Sequence, residues 1–361
     1  MLKKIVLFLF LFPFFTPVLR ASPPSFLGED LLFFGHPDII LSSRSSSGGL
    51  FFNPFAIGGG YAGPSAAASL NPALVAGNQR FSLDFGYTGV FDFGGEGKES
   101  GESSHFFRTG ALLPTHAGVF SADFLWNYGA LAESAFGRNA VFTAVFARDV
   151  TPSLYVGASF TAGFNFNGNG KKDDYALFGR LGFIYKIGNV FFLRSAAFSA
   201  SLSQIGKTFN GEAGGGSFPP AFTPEAGFSA SFLEARAFSA GFSLDARIPS
   251  FYRNAAFSGG LYAVIAESVF ICAGAVLNAR EMAAGNGCDF FAGIKYNLTL
   301  SGGGSGALRK GEGWKGSGAS FSAVWQNRPG GLSLISAGAT LNKGERTDEK
   351  GPSVVIEAGS K

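Results

Sequence analysis

From Arg80 onward the chain alternates between apolar and polar positions. In residues 81–93 the odd positions are Phe81, Leu83, Phe85, Tyr87, Gly89, Phe91 and Phe93, and the even ones are Ser82, Asp84, Gly86, Thr88, Val90 and Asp92. Residues 154–166 put Leu154, Val156, Ala158, Phe160, Ala162, Phe164 and Phe166 on one face and Tyr155, Gly157, Ser159, Thr161, Gly163 and Asn165 on the other. Residues 237–246 and 290–300 follow the same rule. A period of two is that of a β-strand with two unlike faces. These runs exceed the five or six residues usual in globular sheets and match the roughly 9–11 residues of a tilted membrane strand. A soluble sandwich would have to bury five to seven large groups from every such strand. The pattern therefore predicts an all-β protein, an antiparallel transmembrane β-barrel.

Connection lengths test this independently, because membrane barrels alternate short turns on one side with longer loops on the other. Predicted strands cover 81–93, 105–112, 117–127, 139–148, 154–166, 175–186, 191–205, 225–232, 236–246, 255–265, 268–278 and 288–300. Long and short links alternate through all of them, with short turns expected around Pro114-Thr115 and over 149–153. The rhythm breaks at 301–317, and strands 318–327 and 331–341 follow. If that link is only a long turn, the count is 14 and residues 342–361 form a tail. If it hides a weak strand and 352–359 is another, the count is 16. The preferred count is 14.

The start of the chain reads as an address. Lys3 and Lys4 precede an apolar run broken by Pro13 and Pro17, with a small residue at Ala21. This describes a secretory signal over residues 1–21. Residues 22–78 do not alternate, and they hold a short Ala-rich piece that begins after Pro64 and ends at Asn71-Pro72. The segment is too apolar for a linker; the alternatives are a disordered leader and a plug folded inside the barrel, and the plug is preferred. The expected organisation is thus a signal at 1–21, a hatch at 22–78, a barrel at 79–341 and a tail or extra strand at 342–361.

Composition narrows the chemistry. The 361 residues include 43 Phe and 53 Gly, with 15% charged residues and 46% hydrophobic ones. Mean hydropathy is +0.22, yet no stretch after the signal approaches the roughly 20 apolar residues of a membrane helix. The chain is too apolar to be disordered. Net charge is +3 without a basic block, so no nucleic-acid partner is expected. Cys272 and Cys288 are off register in the proposed hairpin, which favours two buried, inert thiols over a disulfide. His36, His105 and His116 show no metal spacing. Residues 311–316 match a dinucleotide-type glycine pattern, but a strand follows it where that site needs a helix. No catalytic residues, metal or cofactor are expected, and the protein is not expected to be an enzyme.

The inward face of the clearest strands is mainly Gly, Ser, Ala, Thr and Asn, with few charges: Asp84, Asp92, Asp245, Asp289 and Lys295. A lumen of small residues leaves room for a plug and favours a plugged transporter over an open, charge-lined pore.

The run Gly60-Tyr61-Ala62-Gly63, then residues 66–70 and Asn71-Pro72-Ala73, just before the first strand, resembles the N-terminal hatch of the long-chain fatty-acid transporter family of outer-membrane barrels. Residues 141–157 are similar to a Phe- and Ala-rich spirochaete branch of that family. The resemblance implies a hatch within a 14-stranded barrel and a hydrophobic ligand, such as a long-chain fatty acid, leaving sideways through the wall toward outer-membrane lipid. It also makes Asn71, Pro72 and Ala73 the candidates for hatch gating. The family's ligand-pocket residues find no match here. Two other functions fit the sequence, a surface-exposed barrel serving as a partner-binding or secretion-accessory protein and a diffusion porin.

Overall fold

The computed structural model describes residues 30–42, 46, 64–78, 80–92, 102–131, 136–166, 173–209, 222–235, 238–250, 254–266, 268–285, 287–300, 317–328 and 332–343. The predicted signal and the segment 352–359 lie outside them.

Fourteen strands follow in chain order: β1 Phe81–Asp92, β2 Ser103–Thr115, β3 Gly118–Gly129, β4 Arg138–Thr151, β5 Leu154–Phe166, β6 Asp174–Val190, β7 Leu193–Lys207, β8 Thr223–Ala235, β9 Phe238–Arg247, β10 Ala256–Ile265, β11 Val269–Asn278, β12 Asp289–Leu300, β13 Ser317–Asn327 and β14 Leu332–Lys343. Each pairs with its sequence neighbours, and β14 pairs with β1 to close the barrel. The count of 14 holds because β12 pairs directly with β13, from Phe290↔Asn327 to Leu300↔Ser317.

Alternation sets the two faces. On β4, Asn139, Val141, Thr143, Val145 and Ala147 are buried, while Phe142, Ala144 and Phe146 are exposed. Around the whole barrel the exposed set is large and apolar, including Phe160, Tyr175, Leu181, Phe257, Ile294, Phe321 and Trp325. An outward apolar surface over an inward polar one is the arrangement a bilayer selects.

Several details differ from the sequence reading. β2 runs on through Pro114 and Thr115, so the turn sits at 116–117; Pro114 is tolerated because the strand is ending. β4 reaches Thr151 through a register shift between Asp149 and Thr151, which leaves only residues 152–153 for the turn. Cys272 is buried, but Cys288 is only half-buried, because it stands just before β12 begins; both are free thiols.

Candidate functional site

The described parts of residues 22–78 lie within the barrel. Short 3-10 turns form at Leu31–Phe33, Ser65–Ser69 and Pro72–Val75, and a helix forms at Pro37–Leu41. The helix packs on β1 and β12–β14, whereas Pro72–Val75 packs on β4–β6. All of these residues are buried. The strands thus surround the segment, with its Leu31–Phe33 end toward the long loops and its Pro72–Val75 end toward the short turns.

Two local sequences dock it, and they share a design. Asn71 caps its turn by accepting the Ala73 N–H on Oδ1 at 3.0 Å, with Pro72 in the first turn. His36 caps the Pro37–Leu41 helix by accepting the Asp38 N–H on Nδ1 at 3.2 Å, with Pro37 in the first turn. Proline is preset for a first helical position, and a capping side chain satisfies one of the free N–H groups behind it.

Each capped turn sits against a pair of glycines facing each other across two strands. Gly157 of β5 opposes Gly182 of β6. A Cβ on Gly157 would lie 2.5 Å from the Pro72 carbonyl carbon and 2.6 Å from the Ala73 nitrogen, and one on Gly182 would strike Asn71 Oδ1. On the opposite wall, Gly86 of β1 opposes Gly338 of β14. A Cβ there would strike the Gly35 carbonyl from Gly86, or lie 2.8 Å from Pro37 Cδ from Gly338. Each glycine pair is a notch that lets the inner backbone approach the wall more closely than any side chain permits.

Buried polar contacts complete the docking. Asn71 Nδ2 donates to the Phe183 carbonyl at 3.1 Å and to the Ser46 carbonyl at 3.3 Å. The Ser65 N–H donates to Asp84 Oδ2 at 2.5 Å, and Ser46 bonds Asp245. Lys295 pairs with Asp38 at 2.5 Å. Arg108 grips both Asp123 oxygens through Nε, at 2.8 and 2.9 Å. It also donates to the Leu32 carbonyl at 2.6 Å and to Ser69 Oγ. Arg180 donates to the Ala68 carbonyl at 3.2 Å. Burial holds the His36 imidazole well below its usual range, at about 4, with Asp38 opposing that shift and Lys295 and Arg108 adding to it. A neutral ring is the form whose Nδ1 can accept the cap hydrogen bond.

Toward the long loops the lumen is apolar. Leu31, Leu32 and Phe34 of the inner segment fill a chamber walled by Val90, Phe106, Leu125, Phe136 and Phe178, among others. Phe34 stacks on Phe106 at 4.7 Å. A cavity of about 20 Å³ beside it is lined by Asp30, Thr223, Glu225, Arg247 and Asn254, among others; that is room for about one water.

The sequence-predicted candidates Asn71, Pro72 and Ala73 are therefore together at one notch. Of the expected inward charges, Asp84, Asp245 and Lys295 touch the inner segment. Asp289 instead bonds Gln326 and Arg328 near the long-loop rim, and Asp92 is half-exposed at the end of β1. Arg108, Asp123, Arg180, Glu225 and Arg247 were not anticipated. Arg108 shares its face with Phe106 and Leu112, while Phe107 and Leu113 line the other, so β2 reads as apolar on both sides. No group of three or more His, Cys, Asp or Glu among the described residues could hold a metal ion.

Among solved structures, the chain is similar to the CymD monoaromatic hydrocarbon channel, with a TM-score of 0.52 and 13% identity over 87% of this chain and 98% of that one. It is also similar to the Ralstonia pickettii toluene transporter TbuX, with a TM-score of 0.48 and 12% identity over 78% and 94%. The likeness is one of fold. No protein-family model matches the chain, and no curated protein matches it in sequence.

Proposed function

We propose that this protein is an outer-membrane channel that admits hydrophobic molecules, long-chain fatty acids foremost, and that its inner segment is the gate. The observation that carries this reading is the combination of a lumen filled by a docked inner segment with an apolar chamber at the long-loop end. A diffusion pore needs an open, water-filled lumen, and the described inner residues occupy that space instead. The notched fit of Asn71-Pro72-Ala73 supports its role as the hinge or latch of the gate. The similarity in fold to a hydrocarbon channel supports a hydrophobic cargo. An acyl chain gains about 0.8 kcal/mol for each CH₂ it buries, so the chamber can bind ligand with little polar help, and no covalent chemistry is required.

Proteoliposomes carrying the full chain and an internal fatty-acid sensor test the reading. Oleate should enter them faster than empty liposomes, and filling the Gly157–Gly182 notch by Gly157→Ala with Gly182→Ala should alter the rate. Entry at the rate of empty liposomes would refute it.

A further inference from the structure

The wall departs from regular pairing next to the chamber. Gly179 of β6 pairs with Ile205 of β7, but Leu181 pairs with Leu202, so Ser203 and Gln204 together face Arg180. Gln204 adopts φ 54, the left-handed region that side chains other than glycine seldom enter. The result is a β-bulge that turns two consecutive side chains into the lumen, and both are buried. Bulges of this kind re-aim a side chain at the cost of regular pairing, and they gather at functional sites.

The bulge aims Gln204 at a carboxylate. Gln204 Nε2 donates to Asp30 Oδ2 at 2.7 Å, and the Arg180 guanidinium stands 3.6 Å from the same oxygen. Asp30 comes from the inner segment, whereas Arg180 and Gln204 come from the wall. After Asp30 the chain continues as Leu31-Leu32-Phe33-Phe34, entirely buried, with Leu31, Leu32 and Phe34 filling the apolar chamber and Phe33 under the Arg247 guanidinium at 4.0 Å. A carboxylate in a polar clamp with an apolar body behind it is the outline of an amphipathic acid.

We infer that Arg180 and Gln204 form a carboxylate site in the barrel wall, and that residues 30–34 are a tethered occupant which an amphipathic carboxylate ligand displaces. The inference rests on the transport reading above and adds to it a self-occupied resting state. Exchange of Asp30 for a ligand carboxylate keeps the charge of the cluster unchanged. Glu225 stays bonded to Ser201 and Ser203 at 3.2 and 3.1 Å, and the buried cations keep a partner throughout. An alcohol of the same length gains the chamber but not the clamp.

The test uses the full chain in detergent, titrated with dodecanoate and with dodecanol. Asp30→Ala should bind dodecanoate about tenfold more tightly than the unmodified protein, the effect expected when a competing charged hydrogen bond is removed, and dodecanol more tightly as well, since either chain must displace residues 31–34. Arg180→Met should abolish the preference for the acid over the alcohol. In the unmodified protein, dodecanoate should speed amide exchange at residues 32–34. This readout needs no variant to fold. Equal dodecanoate affinity in Asp30→Ala and the unmodified protein, or exchange at 32–34 that ligand does not change, would overturn the inference while leaving the transport reading intact. If neither ligand binds the unmodified protein, the transport reading falls and the inference with it.

Discussion

Filling the Gly157–Gly182 notch should release the inner segment without harming the barrel. In the double variant Gly157→Ala with Gly182→Ala, one new methyl meets Pro72 and Ala73 backbone at 2.5–2.7 Å, and the other strikes Asn71 Oδ1. Backbone on the first side cannot rotate away. On the second, Asn71 is fixed by bonds to Ala73, Phe183 and Ser46. Overpacking of this kind costs about 1–3 kcal/mol per site. The two glycines are register partners, so their effects are not additive, and about 2–4 kcal/mol is expected for the pair. At about 1.4 kcal/mol per factor of ten, docking weakens roughly 30- to 1000-fold. Amide exchange measures this directly, because the opening constant sets the exchange rate. The N–H groups of Ala73, Leu74 and Ala76, bonded to Asn71 Oδ1 and to the Asn71 and Ala73 carbonyls, should exchange faster by that factor. Exchange in β10–β13 should not change. Gly179→Ala is the control, since its new methyl comes no closer than 3.5 Å to any neighbour. Unchanged exchange at residues 73–76 in the double variant would refute the notch as the seat of docking.

Arg108→Met strands the buried Asp123 carboxylate and should cost about 3–5 kcal/mol in chemical unfolding from detergent, with the paired change Asp123→Leu recovering most of it. Phe160→Arg places a charge halfway along β5 on the lipid face and should lower stability in bilayers by about 2–4 kcal/mol. His36 should make docking pH-dependent. Its native pKa of about 4 lies below the ordinary value of 6.5, so the undocked form binds the extra proton. Docking of residues 36–42 is therefore full above about 6.5 and weakens as pH falls toward 4, visible as exchange corrected for its intrinsic rate. His36→Asn keeps a capping acceptor and should flatten that dependence.

Strand number and order were legible because period-two alternation reports both faces of a wall whose outside meets lipid and whose inside is small or polar. The ends were less so: Pro114 reads as a breaker, yet a strand tolerates proline where its ladder is finishing. The notch residues Asn71, Pro72 and Ala73 stood out as the end of an Ala-rich piece and through their resemblance to a family hatch, though not as the cap of a further turn. Their counterpart at His36-Pro37 did not, because histidine is a less familiar cap and its acceptor role depends on a burial that only the fold supplies. Gly157 and Gly182 each looked like unremarkable small residues of a polar face. Their meaning comes from register, which sets them opposite each other beneath Pro72. Gln204 was hidden for a related reason: a bulge puts it beside Ser203 on the inner face, and alternation counts it as outward; Arg180 was hidden because it shares its face with Ala176, Phe178 and Ile184, opposite an equally apolar one.

The claim at the centre of this account is that hydrophobic ligand enters the barrel and works against its inner segment. Titration of the refolded chain, residues 22–361, with a fluorescent long-chain fatty acid tests it most directly. The account predicts saturable binding that unlabelled oleate competes away, and tighter binding in the Gly157→Ala, Gly182→Ala variant whose inner segment docks less firmly. A correctly folded barrel that binds no such ligand, or binds it identically when the notch is filled, would contradict it.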